Sequence, residues 1–211
     1  MEGKEERLLA LEEGFLPIME HFYTLQGEGA HTGTPAYFIR TGGCDVGCHW
    51  CDVKESWDFQ KHPPMSVESL AQAAKESGAP IAVVTGGEPL IYNLNALTRA
   101  LKDVGMQTHI ETSGAYPLSG FWDWITLSPK KFKAPVKDFH KEVNELKTVI
   151  FHGSDFRFAE QHAALVNDSC ALFLQPEWGR QNEMTSLIID YVKQNPRWRI
   201  SLQSHKYMQI P

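Results

Sequence analysis

No apolar run in the 211 residues approaches the roughly 20 that a membrane-spanning helix needs, so no membrane attachment is expected. The opening residues, Met1-Glu2-Gly3-Lys4-Glu5-Glu6-Arg7, lack both the basic start and the apolar stretch of a secretory signal. A surplus of basic residues is also missing: Lys and Arg number 20 against 26 Asp and Glu, for a net charge of −6. Nucleic-acid binders present a basic face, so nucleic acid is not expected as a partner. Neither an internal repeat nor a low-complexity tract is present. Cysteine is scarce, at 4 residues. These absences predict a cytoplasmic protein. Thiols stay reduced there, and clustered cysteines serve metals or catalysis rather than disulfides.

What is present suits a packed core. Hydrophobic residues make up 42% and charged residues 22%, the proportions of a globular chain. At roughly 100–200 residues per domain, a single domain over 15–211 is expected, preceded by a charged extension over 1–14. Strand-like runs recur at 18–24, 36–41, 81–84, 107–111, 124–127, 146–151, 171–175 and 199–202. Several are continuously apolar, as in strands buried on both faces. Helical patterns lie between many of them: 66–76 behind Ser66 as N-cap, 93–104 behind Asn93, 154–166 and 183–193. This alternation predicts an α/β fold with a mostly parallel sheet and right-handed crossovers. A closed eightfold barrel takes about 250 residues, so a partial, incomplete β/α barrel is predicted. The basic stretch from Lys130 to Lys137 reads as a solvated loop.

The densest chemistry lies in Cys44-Asp45-Val46-Gly47-Cys48-His49-Trp50-Cys51. Three cysteines on one short, Gly-flanked loop can converge on a single point, as a soft metal or an iron–sulfur cluster requires. Zinc and most clusters take four protein ligands. Three leave a corner open, where a small molecule can bind and react. His49 or a distant side chain could instead complete a zinc site, and the spacing alone leaves both readings standing. Cys170, among Ala171-Leu172-Phe173-Leu174, reads as a buried small hydrophobe.

Trp50 gives the loop the form Cys-x-x-x-Cys-x-aromatic-Cys, which resembles the signature of the radical S-adenosylmethionine enzymes. The resemblance implies that family's partial barrel and a 4Fe–4S cluster on Cys44, Cys48 and Cys51. It also implies S-adenosylmethionine on the fourth iron and a 5′-deoxyadenosyl radical formed by reductive cleavage. Trp50 would lie near the adenine. Thr85-Gly86-Gly87-Glu88-Pro89 would then bind the methionine end of the cofactor. Paired glycines let backbone approach a ligand closely, and Glu88 can accept from an ammonium. Glu111-Thr112-Ser113-Gly114, Ser128-Pro129-Lys130 and Gln175-Pro176 each close or follow a predicted strand. Barrel-like folds gather their active sites at such C-terminal strand ends.

Upstream lie Leu25-Gln26-Gly27-Glu28-Gly29 and a strand ending in Arg40, and the chain closes with His205-Lys206 and, five residues on, Pro211. With the motifs above, this pattern closely resembles the 7-carboxy-7-deazaguanine synthase family over nearly the whole chain, from Ile18 onward. The resemblance implies conversion of 6-carboxy-5,6,7,8-tetrahydropterin to 7-carboxy-7-deazaguanine, with loss of ammonia, in queuosine and other 7-deazapurine pathways. S-adenosylmethionine would be regenerated. On the substrate side it implies Leu25, Gln26, Gly27, Glu28, Arg40, Thr85, Glu111, His205 and Pro211, whose α-carboxylate would meet the pterin. On the cofactor side it implies Trp50, Cys51, Asp52, Gly86, Gly87, Glu88, Ser128, Pro129, Lys130 and Gln175. Glu111 joins the three cysteines as a catalytic candidate. The residue chemistry agrees: Gln26 and Glu28 can match a pterin's pyrimidine edge, and Arg40 can grip a carboxylate in a fork.

A flavodoxin- or ferredoxin-type electron donor and a homodimer are implied as partners. One departure concerns magnesium. The family often has Thr or Ser after Cys-Asp, helping to hold the ion against the substrate. Here Val53 offers no side-chain oxygen, and Mg²⁺ requires oxygen ligands; substrate oxygens, water or Asp52 would have to supply them. Two other readings share the cysteine loop: a radical activase that abstracts hydrogen from a partner protein's glycine, and a non-catalytic zinc module. Neither requires the Leu25–Gly29 segment or the His205–Pro211 tail.

Overall fold

Nine strands build one sheet in the order β3-β1-β2-β4-β5-β6-β7-β8-β9. They are β1 (Phe15–Leu25), β2 (Pro35–Thr41), β3 (Pro64–Ser66), β4 (Ile81–Gly86), β5 (Gln107–Thr112), β6 (Trp124–Leu127), β7 (Glu145–Ile150), β8 (Ala171–Pro176) and β9 (Trp198–Ile200). The structure is a computed structural model that describes residues 14–211. Apart from Gly14, the extension expected over 1–14 lies outside the described residues. Every pairing from β2 through β9 is parallel, and β1 pairs antiparallel with both β2 and β3. β3 and β9 end the sheet, so it remains an open, partial barrel.

The helices are α1 (Val67–Ser77), α2 (Asn95–Asp103), α3 (Asp155–Ala163), α4 (Gln181–Gln194) and α5 (Ser204–Met208). Ser66 caps α1 by accepting the Ser69 N–H, as its position predicts. α2 starts at Asn95, two residues later than expected, although the Asn93 side chain does accept the Asn95 N–H. Leu70, Leu97, Leu101 and Ile188, all on helices, pack with Tyr37, Ile39, Val84, Ile110, Leu146 and Leu174 of the strands in the main core. Each fully buried Leu or Ile contributes about 1.5–3 kcal/mol relative to exposure.

Strand residues of the opposite parity face the other way. Phe38 and Arg40 of β2, Thr85 of β4, Glu111 of β5, Lys147 and Val149 of β7 and Gln175 of β8 all line one recess. The same two-residue period that fills the core therefore also supplies the site.

Three expectations need correction. β3 and α5 are absent from the sequence reading, because three residues and five residues are too short to show a period. The last strand, expected over 199–202, is Trp198–Ile200. The basic stretch is not a freely solvated loop. Lys133 donates to Asp45 and to the Tyr116 hydroxyl, both at 2.8 Å, and Lys131 pairs with Asp155. These contacts tie the segment after β6 to the cysteine loop on one side and to α3 on the other. No described helix is long and apolar enough to cross a membrane.

Candidate active site

A recess of about 260 Å³ opens over the C-terminal ends of the parallel strands. Gly86 closes β4, Thr112 closes β5 and Ser128 follows β6, and all three line it. So do Cys44, Cys48 and Cys51 from the loop after β2. The tail contributes His205 and Pro211; Thr24 of β1 donates to a Pro211 oxygen at 3.2 Å.

All four cysteines are free thiols. Burial pushes the Cys44 thiol up to about 11, and burial also raises Cys48, with Lys130 opposing it. Such thiols become thiolates when a cation compensates them. Among the described residues no three His, Cys, Asp or Glu side chains gather as they would around a single ion. His49, the nearest candidate for a fourth zinc ligand, is exposed and packs edge-on to Phe132 and Phe151, with centroids 5.3 Å from each. Three thiols around one recess, with the fourth corner open to it, fit a cluster better than a closed zinc site.

The Gly86-Gly87 turn is built against this loop. A Cβ on Gly87 would lie 2.4 Å from the Gly43 carbonyl oxygen and 2.6 Å from Cys44 Cβ. Only glycine permits that approach. Gly87→Ala is therefore expected to displace the cysteine loop, costing about 1–3 kcal/mol and most of the iron held after anaerobic reconstitution. A normal iron content in that variant would contradict the packing described here.

On the cofactor side, Trp50, Asp52, Ser128, Lys130 and Gln175 line the recess. Lys130 donates to the Ser128 carbonyl at 2.7 Å and the Ser128 hydroxyl at 2.6 Å, and its Nζ lies 5.8 Å from the Trp50 ring centroid. Burial depresses its pKa. Gln175 accepts from Ser201 Oγ at 2.7 Å. Asp52 accepts from Lys206 at 2.7 Å, which fastens α5 to the cysteine loop.

Two residues expected there sit elsewhere. Pro129 is buried behind the wall. Glu88, read from sequence as an acceptor for a ligand's ammonium, is 1% exposed and does not line the recess. Its Oε1 accepts from the Leu90 N–H at 3.1 Å and the Thr112 hydroxyl at 2.6 Å. Its Oε2 accepts from the Ser113 N–H at 2.8 Å and from the Ser113 hydroxyl. The carboxylate turns inward because four donors from two neighbouring turns meet it there. Its four accepted hydrogen bonds hold the two turns that shape the wall.

The substrate side is a polar floor beneath Leu25, Gly27 and Arg40. Gln26 Nε2 donates to Glu111 Oε1 at 3.0 Å, and Gln26 Oε1 accepts the Glu28 N–H at 3.0 Å. Arg40 gives its Nε to Glu20 at 2.7 Å, which orients the guanidinium. Gly27 lies under His205: an added Cβ would come 2.2 Å from Nδ1 of that ring. Burial lowers the His205 pKa, so the ring is neutral near pH 7. Two residues that the sequence reading missed complete the floor. Lys147 pairs with both Glu28 and Glu111, and Gln203 donates to Glu28 Oε1 at 2.9 Å. Lys147 had a legible signal: Glu145 and Lys147 are charged residues at alternate positions of a strand whose other members are Leu146, Thr148, Val149 and Ile150, where burial on both faces demands partners.

Known proteins match this arrangement. The Radical SAM superfamily profile covers residues 38–130. A 7-carboxy-7-deazaguanine synthase of Flavobacterium psychrophilum is 56% identical over 208 residues, covering 98% of this chain and 99% of that protein. The synthase of Synechocystis is 47% identical, covering 92% and 93%. The crystal structure of QueE from Escherichia coli superposes with a TM-score of 0.80 at 34% identity, over 92% of this chain and 96% of that one. These relatives do not favour the activase or zinc-module reading. The chain belongs to the 7-carboxy-7-deazaguanine synthase family.

Proposed function

We propose that this protein converts 6-carboxy-5,6,7,8-tetrahydropterin to 7-carboxy-7-deazaguanine with loss of ammonia. One observation carries the reading. A single recess joins three cysteines on one wall to Arg40 and a paired-carboxylate floor on the other. Cys44, Cys48 and Cys51 would hold a 4Fe–4S cluster; with S-adenosylmethionine bound, it would supply a 5′-deoxyadenosyl radical for hydrogen abstraction from the pterin. Everything else falls to the chain's own groups. Trp50, Gly86, Gly87, Ser128, Lys130 and Gln175 bound the space for S-adenosylmethionine. Arg40 binds the substrate carboxylate through its terminal nitrogens, since Nε is committed to Glu20. Glu28 and Glu111 accept from the donor edge of the pterin, with Gln26, Thr85 and His205 around it. Phe22, Phe38 and Trp57 give the recess apolar walls that exclude water and hold the ring's orientation. Pro211 lines the mouth, so residues appended after it would enter the substrate space and weaken binding.

Magnesium fits these residues less well. Val53 lines the recess without a side-chain oxygen, and Asp52 is already engaged by Lys206. Any ion would rest mainly on substrate and water oxygens. Chelation should then lower turnover, and Val53→Thr should reduce the Mg²⁺ needed to restore it by about tenfold. Turnover that survives chelation in full would remove magnesium from the account. A cytoplasmic setting, a flavodoxin- or ferredoxin-type electron donor and a homodimer complete the proposal. The test is anaerobic incubation with the carboxytetrahydropterin, S-adenosylmethionine and a reductant. Deazaguanine formation supports it; 5′-deoxyadenosine without deazaguanine would reject this substrate.

A further inference from the structure

We infer that Lys147 is a positioning residue that fixes Glu28 and Glu111 as a pair of acceptor-only carboxylates, and thereby selects a 2-amino pterin ring over its 2-oxo counterpart. The inference rests on the substrate reading above. Lys147 projects from the middle of β7 and its side chain is 3% exposed. It pairs with Glu28 Oε2 and, at 3.0 Å, with Glu111 Oε2. Glu28 and Glu111 come from distant segments; Lys147 is the cation that pairs with both carboxylates, while the Gln26 amide links the Glu111 carboxylate to the Glu28 N–H. Each remaining oxygen has a fixed donor as well: Gln203 on Glu28 Oε1 and Gln26 on Glu111 Oε1. A carboxylate has about four lone-pair sites, so both keep acceptor capacity toward the recess that they line.

Two carboxylates sharing one buried site do not both ionise without a cation between them. Burial raises the Glu28 carboxyl, but Lys147's charge and hydrogen bond overcome this and hold it at about 2. Lys147 itself is raised despite burial, by Glu111, Glu28 and Glu145. The other groups facing the pair do not take over this task. Glu145, below Lys147 on the same strand, is raised by burial. His205 is depressed by burial, as is Lys130. Asp52 adds a repulsive charge toward Glu28. Removing Lys147 would leave one carboxyl protonated near neutral pH. It would then present a donor where the 2-amino edge of a pterin also presents donors. A site built of acceptors rejects a 2-oxo edge, because opposed acceptors leave buried groups unpaired.

The test measures binding of 6-carboxypterin and 6-carboxylumazine to reconstituted enzyme with S-adenosylmethionine, by pterin fluorescence, across pH 7 to 8, with every affinity corrected for the ring N–H ionisation of the free ligand, titrated separately over the same interval. Wild type should prefer the pterin, with no pH dependence over that interval. Lys147→Met should bind it about 10–100-fold more weakly at pH 7, regain affinity as pH rises and the carboxyl ionises, and lose the preference over the lumazine. Lys147→Arg should retain the preference. A merely structural lysine would change neither the pH profile nor the preference, and that result in Lys147→Met overturns the inference. Should Lys147→Met fail to hold its cluster, wild type still decides: equal affinity for the two rings, or a break in binding between pH 7 and 8, overturns it. Deazaguanine formation by wild type is scored separately, so ring discrimination without product would reject the substrate reading alone.

Discussion

Replacing Cys44, Cys48 or Cys51 by Ala should abolish turnover and leave the purified protein poor in iron and sulfide. Each thiol lines the recess, and no described side chain stands ready to substitute: His49 faces Phe132 and Phe151. Loss of one ligand from a three-ligand site removes the cluster's anchor. Cys170→Ala supplies the contrast. Cys170 is 7% exposed and packs in the main core, away from the recess. Its loss should cost about 1 kcal/mol and leave iron content and turnover near wild type. Iron analysis after anaerobic purification checks all four variants. Loss of the cluster in Cys170→Ala, or retention in any of the other three, would show that the ligands are assigned wrongly.

Glu88→Ala should destabilise the protein even without any cofactor. The change strands four donors in a site that is 1% exposed: the N–H groups of Leu90 and Ser113 and the hydroxyls of Thr112 and Ser113. At about 1–3 kcal/mol for each buried group left unpaired, with partial relaxation, the cost is about 3 kcal/mol or more. For a chain of this length that lowers the melting temperature by about 6–12 °C. Thr112 and Ser113 line the recess, so activity should fall further than stability alone explains. The measurement is thermal unfolding of protein free of S-adenosylmethionine. A carboxylate whose task was to bind the cofactor's ammonium would leave that melting temperature unchanged, and such a result would return Glu88 to the ligand-binding role read from the sequence.

The contrast between Glu88 and Lys147 shows what sequence patterns reveal. Continuous apolar runs such as Ile81-Ala82-Val83-Val84 identify strands because they are short, rich in β-branched residues and bounded by Gly and Pro, as strands buried on both faces are. Short-range spacing singles out the cysteine loop because Cys44, Cys48 and Cys51 lie on one short stretch of chain. Side-chain direction is less legible. Glu88 follows two glycines that reach the recess, yet one residue further along the turn its carboxylate points inward. The charges at Glu145 and Lys147 signal that buried partners exist but not which ones, because Glu111 reaches Lys147 only through the order β5-β6-β7 and Glu28 only through the loop after β1. Gln203 and α5 escape notice for a similar reason. The segment has no period, and the Gly27 carbonyl holds it by accepting from the Ser204 N–H and hydroxyl, each at 2.9 Å.

The central claim is that one recess holds a carboxylated tetrahydropterin beside S-adenosylmethionine and contracts the pterin ring without consuming the cofactor. The most direct measurement counts both molecules in one anaerobic reaction with limiting S-adenosylmethionine. The account predicts several deazaguanines per S-adenosylmethionine, with the cofactor recovered intact and the yield lost in Arg40→Ala at low substrate. Consumption of one S-adenosylmethionine for every deazaguanine formed would contradict it.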